Sequence, residues 1–455
     1  MTAGLPSGLV LAWYGDDFTG AAAVMEVLTF AGLPAVLFLD PPTPAQRAAF
    51  PDARAIGIAG QARAHGPGWM DAELPPVFRA LHAVGAALCL YKICSTLDSA
   101  PHLGSIGRAI DLGAAVFGGA SVPVLVAAPD MGRYQAFGTL FARAGTAIHR
   151  LDRHPVMQRH PATPMTEADV ARHLSLQTDR RSGCLMLPDL RSTDGGDAAL
   201  AAAVGHGAEI VTLDCTDAAD LAAVGRLLWQ NRAAMPLVAG SQGVAYALVA
   251  WFRALGWLGP AAAWPPAPAV AQIAAVSGSV AATTAAQIDQ AQRGGWAVIA
   301  FEAASVIDPA NRAAEVARAT AAALAEIAAG RSVIVASARG PDDPGVARFR
   351  QALAATGIPP ETANARLGAA LGQVLAGIRD RSGIGRFVIA GGDTSGQTLR
   401  QMGVRALTAL APTVPGAALL HAHDGRGGFD LALKGGQMGS ADYFDWIRAG
   451  GGLRT

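Results

Sequence analysis

Two adjacent acidic residues, Asp16 and Asp17, form the first group of side chains in the sequence that could do chemistry. They lie between the apolar run Leu9–Tyr14 and the small-residue segment Ala21–Ala31, which has the apolar spacing of a helix. A strand, a turn and a helix are therefore predicted, with both carboxylates at the carboxyl end of the strand, where open α/β sheets bind ligands. Because neighbouring residues of an extended chain point to opposite sides, one carboxylate can serve as a catalytic base while the other holds the turn. The alternative is that an Asp here only caps the helix.

Cations and hydroxyls follow other apolar runs of the first half of the chain. Lys92, Ser95 and Thr96 come directly after one such run, and a Lys with two hydroxyls can bind a carboxylate and polyol oxygens. Arg63 follows another run and can complete an anion site by forked hydrogen bonding. Arg133 also ends a predicted strand. Each of these residues could instead be a solvated surface charge.

Three glycine-rich turns in the second half of the chain share one design. Ser277-Gly-Ser279 and Gly391–Gly396 each follow an apolar run, and the second precedes the helical segment Gln397–Met402. The third, Lys434–Gly439, adds a cationic side chain. Such turns present backbone N–H groups at a helix N-terminus, where phosphate binds, and Ser and Thr hydroxyls add donors. Each turn alone can be a simple βα connection, but three in one domain predict a nucleotide pocket.

The form of these turns limits the class of nucleotide-binding protein. The sequence contains no GxxxxGK[ST] motif and no strand that leads into GxGxxG, so neither a P-loop NTPase nor a dinucleotide-binding domain is supported. Asp393 in the second turn is the candidate ligand for Mg²⁺, directly or through water, because hard cations take oxygen ligands. Its alternative role is to cap the next helix.

The composition favours a small-molecule partner. The chain has 455 residues, 51% of them hydrophobic, and its 35 basic and 35 acidic residues cancel, which argues against binding to nucleic acid or to a membrane surface. No apolar stretch reaches the roughly 20 residues of a membrane helix, and the start lacks the basic region of a signal peptide. Four scattered cysteines predict reduced thiols and a cytoplasmic protein, and they are Cys89, Cys94, Cys184 and Cys215.

Alternation of short apolar runs with Ala-rich helical stretches predicts βαβ units and mostly parallel sheets. The predicted strands are Leu9–Tyr14, Ala35–Leu39, Ala55–Ile58, Ala87–Tyr91, Val122–Ala128, Gly183–Leu187, Ile210–Leu213 and Pro236–Ala239, followed by Ile273–Val276, Ala297–Phe301, Ser332–Ala336 and Phe387–Ala390. A proline-rich stretch within 259–271 is the predicted linker between an α/β domain at 1–258 and a smaller one at 272–455. Leu151–Thr166 is predicted to be a long ordered loop before a helix at about Glu167.

Taken together, four segments resemble the four-carbon acid sugar kinase family. They are Asp16-Asp-Phe-Thr-Gly20, Lys92-Ile-Cys-Ser-Thr96, Gly391-Gly-Asp-Thr-Ser-Gly396 and Leu433-Lys-Gly-Gly-Gln-Met-Gly439, in the family's order and spacing over nearly the whole chain. The resemblance implies two α/β domains, with an acid sugar bound by the N-terminal one and ATP by the C-terminal one. It implies phosphate transfer to a terminal hydroxyl of the sugar.

Carried over residue by residue, the resemblance implies the contacts of both ligands. For the sugar they are Asp16, Asp17, Arg63, Lys92 and Ser95, and for ATP they are Ser277, Ser279, Gly391, Gly392, Asp393, Thr394, Ser395, Gly435 and Gly436. The loop Arg159–Thr166 resembles that of 3-oxo-tetronate kinases, whereas Gly132–Phe141 resembles that of kinases of branched substrates such as 3-oxo-isoapionate.

The prediction from the sequence is therefore an ATP- and Mg²⁺-dependent phosphotransferase with a small acid sugar as its alcohol acceptor. Asp17 or Asp16 would accept the hydroxyl proton, and Lys92 and Arg63 would bind the substrate carboxylate. Lys434 and the glycine-turn amides would offset phosphoryl charge, and the domains would close about the linker. The alternatives are an oxidoreductase with a nucleotide cofactor and a non-enzymatic acid-sugar-binding module. A homodimer is left open.

Overall fold

A computed structural model describes residues 4–260 and 263–454, apart from the side chains of Asp393 and Thr394. The chain divides into two compact units, one of residues 1–36 and 40–262 and the other of residues 37–39 and 263–455. The division falls inside the proline-rich stretch, whose residues 263–270 have no helix or strand. Both units alternate strands with helices, which confirms the predicted α/β class.

The first unit is built on a mostly parallel sheet with the strand order β2-β3-β1-β4-β11-β5-β10-β9. Its strands are β1 (Leu11–Gly15), β2 (Ala35–Phe38), β3 (Ala55–Ala59), β4 (Cys89–Lys92), β5 (Val122–Leu125), β6 (Arg133–Ala136), β7 (Thr139–Ala144), β8 (Ala147–Arg150), β9 (Ser182–Leu185), β10 (Ile210–Leu213) and β11 (Leu237–Gly240). Most of the sheet strands are buried along their whole length, as expected when helices cover both faces of a parallel sheet.

Nine helices connect these strands in the described part of the first unit. They are α1 (Phe18–Phe30), α2 (Pro44–Ala48), α3 (Pro67–Ala83), α4 (Ile106–Phe117), α5 (Val170–Ser175), α6 (Leu187–Leu190), α7 (Asp197–Gly205), α8 (Ala218–Gln230) and α9 (Gly243–Ala254). The core beneath α3 and α4 contains large apolar side chains of both helices, such as Phe78 and Ile110, which are not exposed to solvent. This packing holds the strand ends that carry the polar residues.

Strands β6, β7 and β8 form a separate antiparallel sheet that the sequence analysis did not predict. They are short, and charged residues such as Arg143 and Arg150 interrupt the apolar pattern that marked the other strands. Gly138 and Gly145 have φ of 75° and 58° in the turns between them, so glycine was the available signal. The segment after β8 contains two short 3₁₀ turns, and the helix predicted at about Glu167 begins at Val170.

The second unit has a sheet with the order β13-β14-β12-β15-β18-β17-β16. Its strands are β12 (Ala274–Ser277), β13 (Ala297–Ala300), β14 (Val333–Ala336), β15 (Arg386–Ala390), β16 (Ala406–Ala411), β17 (Leu419–His423) and β18 (Phe429–Lys434). Strand β17 is antiparallel to its neighbours β16 and β18, whereas the pairs among β12, β13, β14, β15 and β18 are parallel. The last three strands were not predicted, because a bulge and alternating polar residues break their apolar runs.

The helices of the second unit lie between these strands and after the last of them. They are α10 (Ala282–Arg293), α11 (Pro309–Ala328), α12 (Pro344–Thr356), α13 (Pro360–Arg381), α14 (Gly392–Gln401) and α15 (Tyr443–Arg448). Across the described residues of both units, every helix is too short or too polar to cross a bilayer.

Both units place their first strand between their third and fourth strands. Strand β1 pairs with β3 and β4, and β12 pairs with β14 and β15, all in parallel. At such a point, one crossover connection passes to one side of the first strand and a later connection passes to the other side. The two connections separate there and leave a crevice at the carboxyl ends of the first and fourth strands. The polar residues selected from the sequence follow these central strands in both units.

Candidate functional sites at the two sheet edges

The carboxyl end of β1 carries an aspartate pair bound to one guanidinium. Arg63 Nη2 lies 2.6 Å from Asp16 Oδ1 and 2.7 Å from Asp17 Oδ1, and Arg63 Nε donates to Asp16 Oδ2 at 3.2 Å. Asp16 is buried, whereas the Asp17 side chain is 29% exposed. Burial raises the pKa of Asp16, and the Arg63 guanidinium opposes that rise. The structure therefore unites the two predicted catalytic residues with Arg63, and it leaves Asp17 as the accessible carboxylate.

Asp17 also begins helix α1. Its backbone is extended and its Oδ1 accepts the N–H of Gly20 at 3.0 Å, which is the capping role weighed as the alternative. A Cβ at Gly20 would lie 2.3 Å from Asp17 Oδ1 and 2.8 Å from Lys92 Nζ. A side chain at position 20 would therefore displace the Asp17 carboxylate and the Lys92 ammonium from these positions.

Lys92 is the last residue of β4 and is buried beside the aspartates. Its Nζ donates to the carbonyl oxygen of Ile93 at 2.7 Å. Burial lowers the pKa of Lys92, and the nearby charges of Asp17 and Asp16 oppose that change. The ammonium lies below the surface of this edge, where a low dielectric strengthens its attraction for an anion.

The loop after Lys92 is held under strain. Ser95 and Thr96 are both buried, and Thr96 Oγ1 lies 3.1 Å from Cys94 Sγ. Leu97 has φ of 51°, a left-handed conformation that a branched apolar residue rarely adopts. Such a conformation persists only where the surroundings impose it. The predicted substrate residues Ser95 and Thr96 therefore lie in a loop whose shape is set by its neighbours.

One of these neighbours is the loop that precedes α5. Thr163 Oγ1 donates a hydrogen bond to Asp98 Oδ1 and lies 2.9 Å from His160 Nδ1, which also accepts the Thr163 N–H at 3.2 Å. These residues were not selected as site residues, because Asp98 and Thr163 are 65 positions apart and only the fold brings them together. They fasten the predicted ordered loop to the end of β4.

Arg133 is the first residue of β6, in the separate antiparallel sheet. Its Nη1 donates to the carbonyl oxygen of Met131 at 3.1 Å, and its buried Nε has no partner among the described residues. Burial lowers the pKa of Arg133, which the Cys94 thiol opposes.

The second unit brings the three glycine turns together. They follow β12, β15 and β18, which are adjacent parallel strands. The N–H of Gly278 donates to the carbonyl oxygen of Ala390 at 3.0 Å, and the N–H of Gly391 donates to that of Lys434 at 2.9 Å. The three turns therefore line one edge of the sheet side by side, where their amides can act on one anion.

The turn after β15 is shorter than the sequence indicated. Gly391 has φ of 138°, and helix α14 begins at Gly392 and not at Gln397. Ser395 Oγ donates to the carbonyl oxygen of Gly391 at 2.7 Å, so this hydroxyl serves its own helix turn. The side chains of Asp393 and Thr394 lie outside the described part of the chain.

The turns after β12 and β18 approach each other closely. Ser277 Oγ accepts the N–H of Ser279 at 3.4 Å, and Ser279 Oγ accepts the N–H of Ala281 at 3.1 Å. A Cβ at Gly436 would lie 2.5 Å from Ser279 Oγ, whereas one at Gly435 would contact Met438 Sδ at 3.2 Å. Glycine at position 436 therefore permits the contact between the two turns.

Lys434, at the end of β18, is buried rather than exposed at the turn. Its Nζ donates to Thr284 Oγ1 at 2.9 Å, and burial lowers the pKa of Lys434 to about 8. The cationic residue predicted from the sequence therefore lies one residue before Gly435 and is not exposed to solvent. Thr284 was not selected from the sequence as a site residue, because its partner lies 150 positions away.

The two sites and the fold match known domain families. Residues 11–248 match a sugar-binding N-terminal domain, and residues 274–444 match a nucleotide-binding C-terminal domain. These are the domains of the four-carbon acid sugar kinases, and the chain belongs to that family. The family and the two-domain organisation predicted from the sequence are confirmed.

Individual relatives agree with this assignment. The chain is 44% identical over 448 residues to 3-oxo-isoapionate kinase of Paraburkholderia graminis. The aligned region covers 98% of this chain and 95% of that protein. It is 32% identical over 441 residues to 3-oxo-tetronate kinase of Pseudomonas fluorescens, with 96% and 95% covered. A solved structure from Salmonella typhimurium LT2 has the same fold, with a TM-score of 0.75 at 24% identity and 96% and 98% covered. The predicted enzyme class, acid sugar kinase, is confirmed by these names.

Proposed function

We propose that this protein transfers the γ-phosphoryl group of ATP to a hydroxyl of a branched 3-oxo acid sugar of the 3-oxo-isoapionate type. The 44% identity to 3-oxo-isoapionate kinase extends over 98% of the chain, and the more distant relatives act on 3-oxo-tetronates. Both names describe a small acid that carries a carbonyl group. A carboxylate and a carbonyl oxygen are the groups that Lys92, Arg63 and Arg133 would recognise.

The observation that carries the proposal is the convergence of three glycine turns at the carboxyl ends of β12, β15 and β18. Main-chain N–H groups at a helix start bind phosphate without side-chain charge, and three adjacent turns suit a triphosphate. Under the proposal, Ser277, Ser279 and the turn residues Gly391 and Gly436 bind the nucleotide. The buried ammonium of Lys434 compensates part of the phosphate charge.

In the first unit, we assign the role of general base to Asp17. It is the exposed member of the pair, whereas Asp16 is buried and bound to Arg63 through both oxygens. The sugar hydroxyl would give its proton to Asp17 as its oxygen forms a bond to the γ-phosphorus and the bond from that phosphorus to the leaving ADP oxygen breaks. Asp16 would hold Arg63 in place.

Ser95 and Thr96 would bind the sugar hydroxyls, with Lys92 beneath them. Their loop is fastened by the Asp98–Thr163 hydrogen bond, so these donors would be positioned before the substrate arrives. Positioning of this kind contributes to catalysis because the reacting hydroxyl is oriented without further loss of entropy.

We also propose that Mg²⁺ accompanies the nucleotide. The described residues contain no group of three or more metal-binding side chains, and Mg²⁺ in kinases is usually held by one or two carboxylates together with substrate phosphates. Position 393, in the first turn of α14, is an aspartate in the sequence and is our candidate ligand. The ion would neutralise charge on the phosphoryl group in transfer.

A substrate panel tests the proposal. ATP consumption would be measured with 3-oxo-isoapionate, 3-oxo-tetronates and their reduced forms, and the phosphorylated position would be located by ³¹P–¹H NMR. We expect the highest kcat/KM with the branched 3-oxo acid. Equal turnover of the unbranched acids would contradict the assigned substrate, and NAD-dependent oxidation without ADP formation would contradict the kinase reaction itself.

A further inference from the structure

The ammonium of Lys434 is buried with a hydroxyl as its partner. Within the described part of the chain, Nζ donates to Thr284 Oγ1 at 2.9 Å, and no carboxylate forms an ion pair with it. A buried cation is costly unless another group compensates its charge. A phosphate bound at the adjacent turn would be that group.

Thr284 makes a second hydrogen bond that fixes its role. Its hydroxyl donates to the carbonyl oxygen of Gly436 at 2.8 Å, and it is not exposed to solvent. A hydroxyl has one proton to donate, and Thr284 donates it to Gly436. A lone pair of the same oxygen therefore accepts the hydrogen bond from the Lys434 ammonium. Thr284 thus joins the cation to the backbone of the turn after β18. It does so from α10, the helix that follows the turn after β12.

Gln287, one turn of helix later, holds the far end of the same turn. Its Nε2 donates to the carbonyl oxygens of Met438 and Ser440, both at 2.9 Å, and its buried Oε1 has no partner among the described residues. Residues three apart lie on one face of a helix, so Thr284 and Gln287 both face this turn. Gln287 therefore holds this turn through its two donors alone.

We propose that Thr284 is a positioning residue for the nucleotide, which directs the Lys434 ammonium and the Gly436–Gln437 peptide group at the same phosphate group. This inference rests on the proposed ATP-binding role of the second unit. Without the hydroxyl, the ammonium would lose its only partner among the described residues and Gly436 would lose the donor that orients its peptide group. Both would reduce nucleotide affinity without altering the sugar site.

The test compares Thr284→Val with Thr284→Ser by calorimetric titration of MgATP and by steady-state kinetics. A hydrogen bond to a charged group supports an effect of about 10- to 100-fold. We expect Thr284→Val to raise the Kd and KM for ATP by that factor, with the KM for the acid sugar unchanged. Thr284→Ser should restore both ATP constants. Thr283→Val is the matched control, because the Thr283 hydroxyl bonds the Gln437 side chain and not the turn backbone.

If the wild-type protein binds MgATP and the Thr284→Val variant binds it with equal affinity, the positioning role is overturned. Failure of the wild-type protein to bind MgATP would instead overturn the proposed function. Should circular dichroism show that Thr284→Val does not fold, Thr284→Cys takes its place, because a thiol is a poor acceptor of nearly the same size. A normal Kd for ATP in a folded Thr284→Cys variant would also overturn the inference.

Discussion

The two sheet edges share one backbone plan and differ in chemistry. The N–H of Asp16 donates to the carbonyl oxygen of Lys92 at 2.9 Å, and the N–H of Gly278 donates to that of Ala390 at 3.0 Å, at corresponding places between first and fourth strands. In the first unit these strand ends carry the charged side chains of Asp16, Asp17 and Lys92. In the second unit they carry Gly278, Gly391 and Gly392. One topology therefore serves two kinds of recognition, and the residues after the strand ends decide which.

The difference follows from what each edge has to bind. A small acid with several oxygens is distinguished by directed side chains, such as the Arg63 fork and the Lys92 ammonium. A polyphosphate offers many equivalent oxygens, so main-chain amides at glycine turns suffice. We call the first unit's site, with Asp16, Asp17, Arg63 and Lys92, the charged edge, and the second unit's three glycine turns the glycine edge. Function at the glycine edge should be sensitive to added side-chain volume. Function at the charged edge should be sensitive to loss of charge.

The largest expected effect is on turnover, at the charged edge. Asp17→Asn keeps a capping side chain for α1, so the fold should persist, but it removes the proposed base. We expect kcat to fall by about 10²- to 10⁴-fold, the usual contribution of a general base, with the Kd for ATP unchanged. Single-turnover phosphate transfer measures the change. Near-normal turnover of Asp17→Asn would exclude this residue as the base.

Asp16→Asn should affect stability more than chemistry. It removes the buried partner that accepts two hydrogen bonds from Arg63, while Asp17 remains 2.7 Å away. Breaking a buried pair costs about 3 kcal/mol at the lower end of its range, which would be measured by urea unfolding. The control is Asp71→Asn, because the ion pair of Asp71 with Arg108 is exposed and should contribute less than about 1 kcal/mol. Equal losses in the two variants would contradict the structural role of Asp16.

At the glycine edge, Gly391→Ala introduces a side chain where φ is 138°. A strained backbone of this kind costs about 1 to 3 kcal/mol, so the turn should shift and weaken ATP binding by roughly 5- to 150-fold. Gly385→Ala is the control, because a Cβ there has open space and no positive φ. Calorimetry with MgATP compares the two variants. Unchanged affinity in Gly391→Ala would remove this turn from the nucleotide site.

The smallest expected effect is the pH dependence of ATP binding. The pKa of Lys434 is lowered to about 8, so the ammonium is charged below that pH and neutral above it. If the nucleotide binds only when Lys434 is charged, binding above pH 8 requires Lys434 to take up a proton. The Kd for ATP should therefore rise about tenfold per pH unit above pH 8 and stay constant below it. Lys434→Arg stays charged and should lack the rise. An identical pH profile in both proteins would show that Lys434 does not contribute this charge.

Much of the scaffold was predictable, because buried parallel strands have continuous apolar sequences. The strands that end at the two edges, β1, β4, β12 and β15, overlap the runs selected from the sequence. Strands β6 to β8 and β16 to β18 were missed for the converse reason. Polar residues inside strands such as β7, β8 and β17 interrupt the apolar pattern, so only the glycines between the strands marked the turns.

The site residues, like the strands, could be predicted from the sequence only in part. Residue types with intrinsic chemistry, such as Asp17, Lys92 and Gly391, could be selected from the sequence because they follow strands directly. Their supports, such as Thr163 and Thr284, could not, because each acts on a partner far along the chain and nothing local distinguishes it. The pairing of Arg63 with both aspartates, rather than with substrate alone, also needed the structure.

A crossed titration tests the division of labour between the two edges most directly. MgATP and 3-oxo-isoapionate would each be titrated into the wild-type protein, Lys92→Met and Gly436→Ala, after circular dichroism has established that all three fold. The charged edge predicts that Lys92→Met loses affinity for the acid alone, and the glycine edge predicts that Gly436→Ala loses affinity for ATP alone. Wild-type protein that ignores MgATP at millimolar concentration, or variants that each lose both ligands equally, would contradict the account.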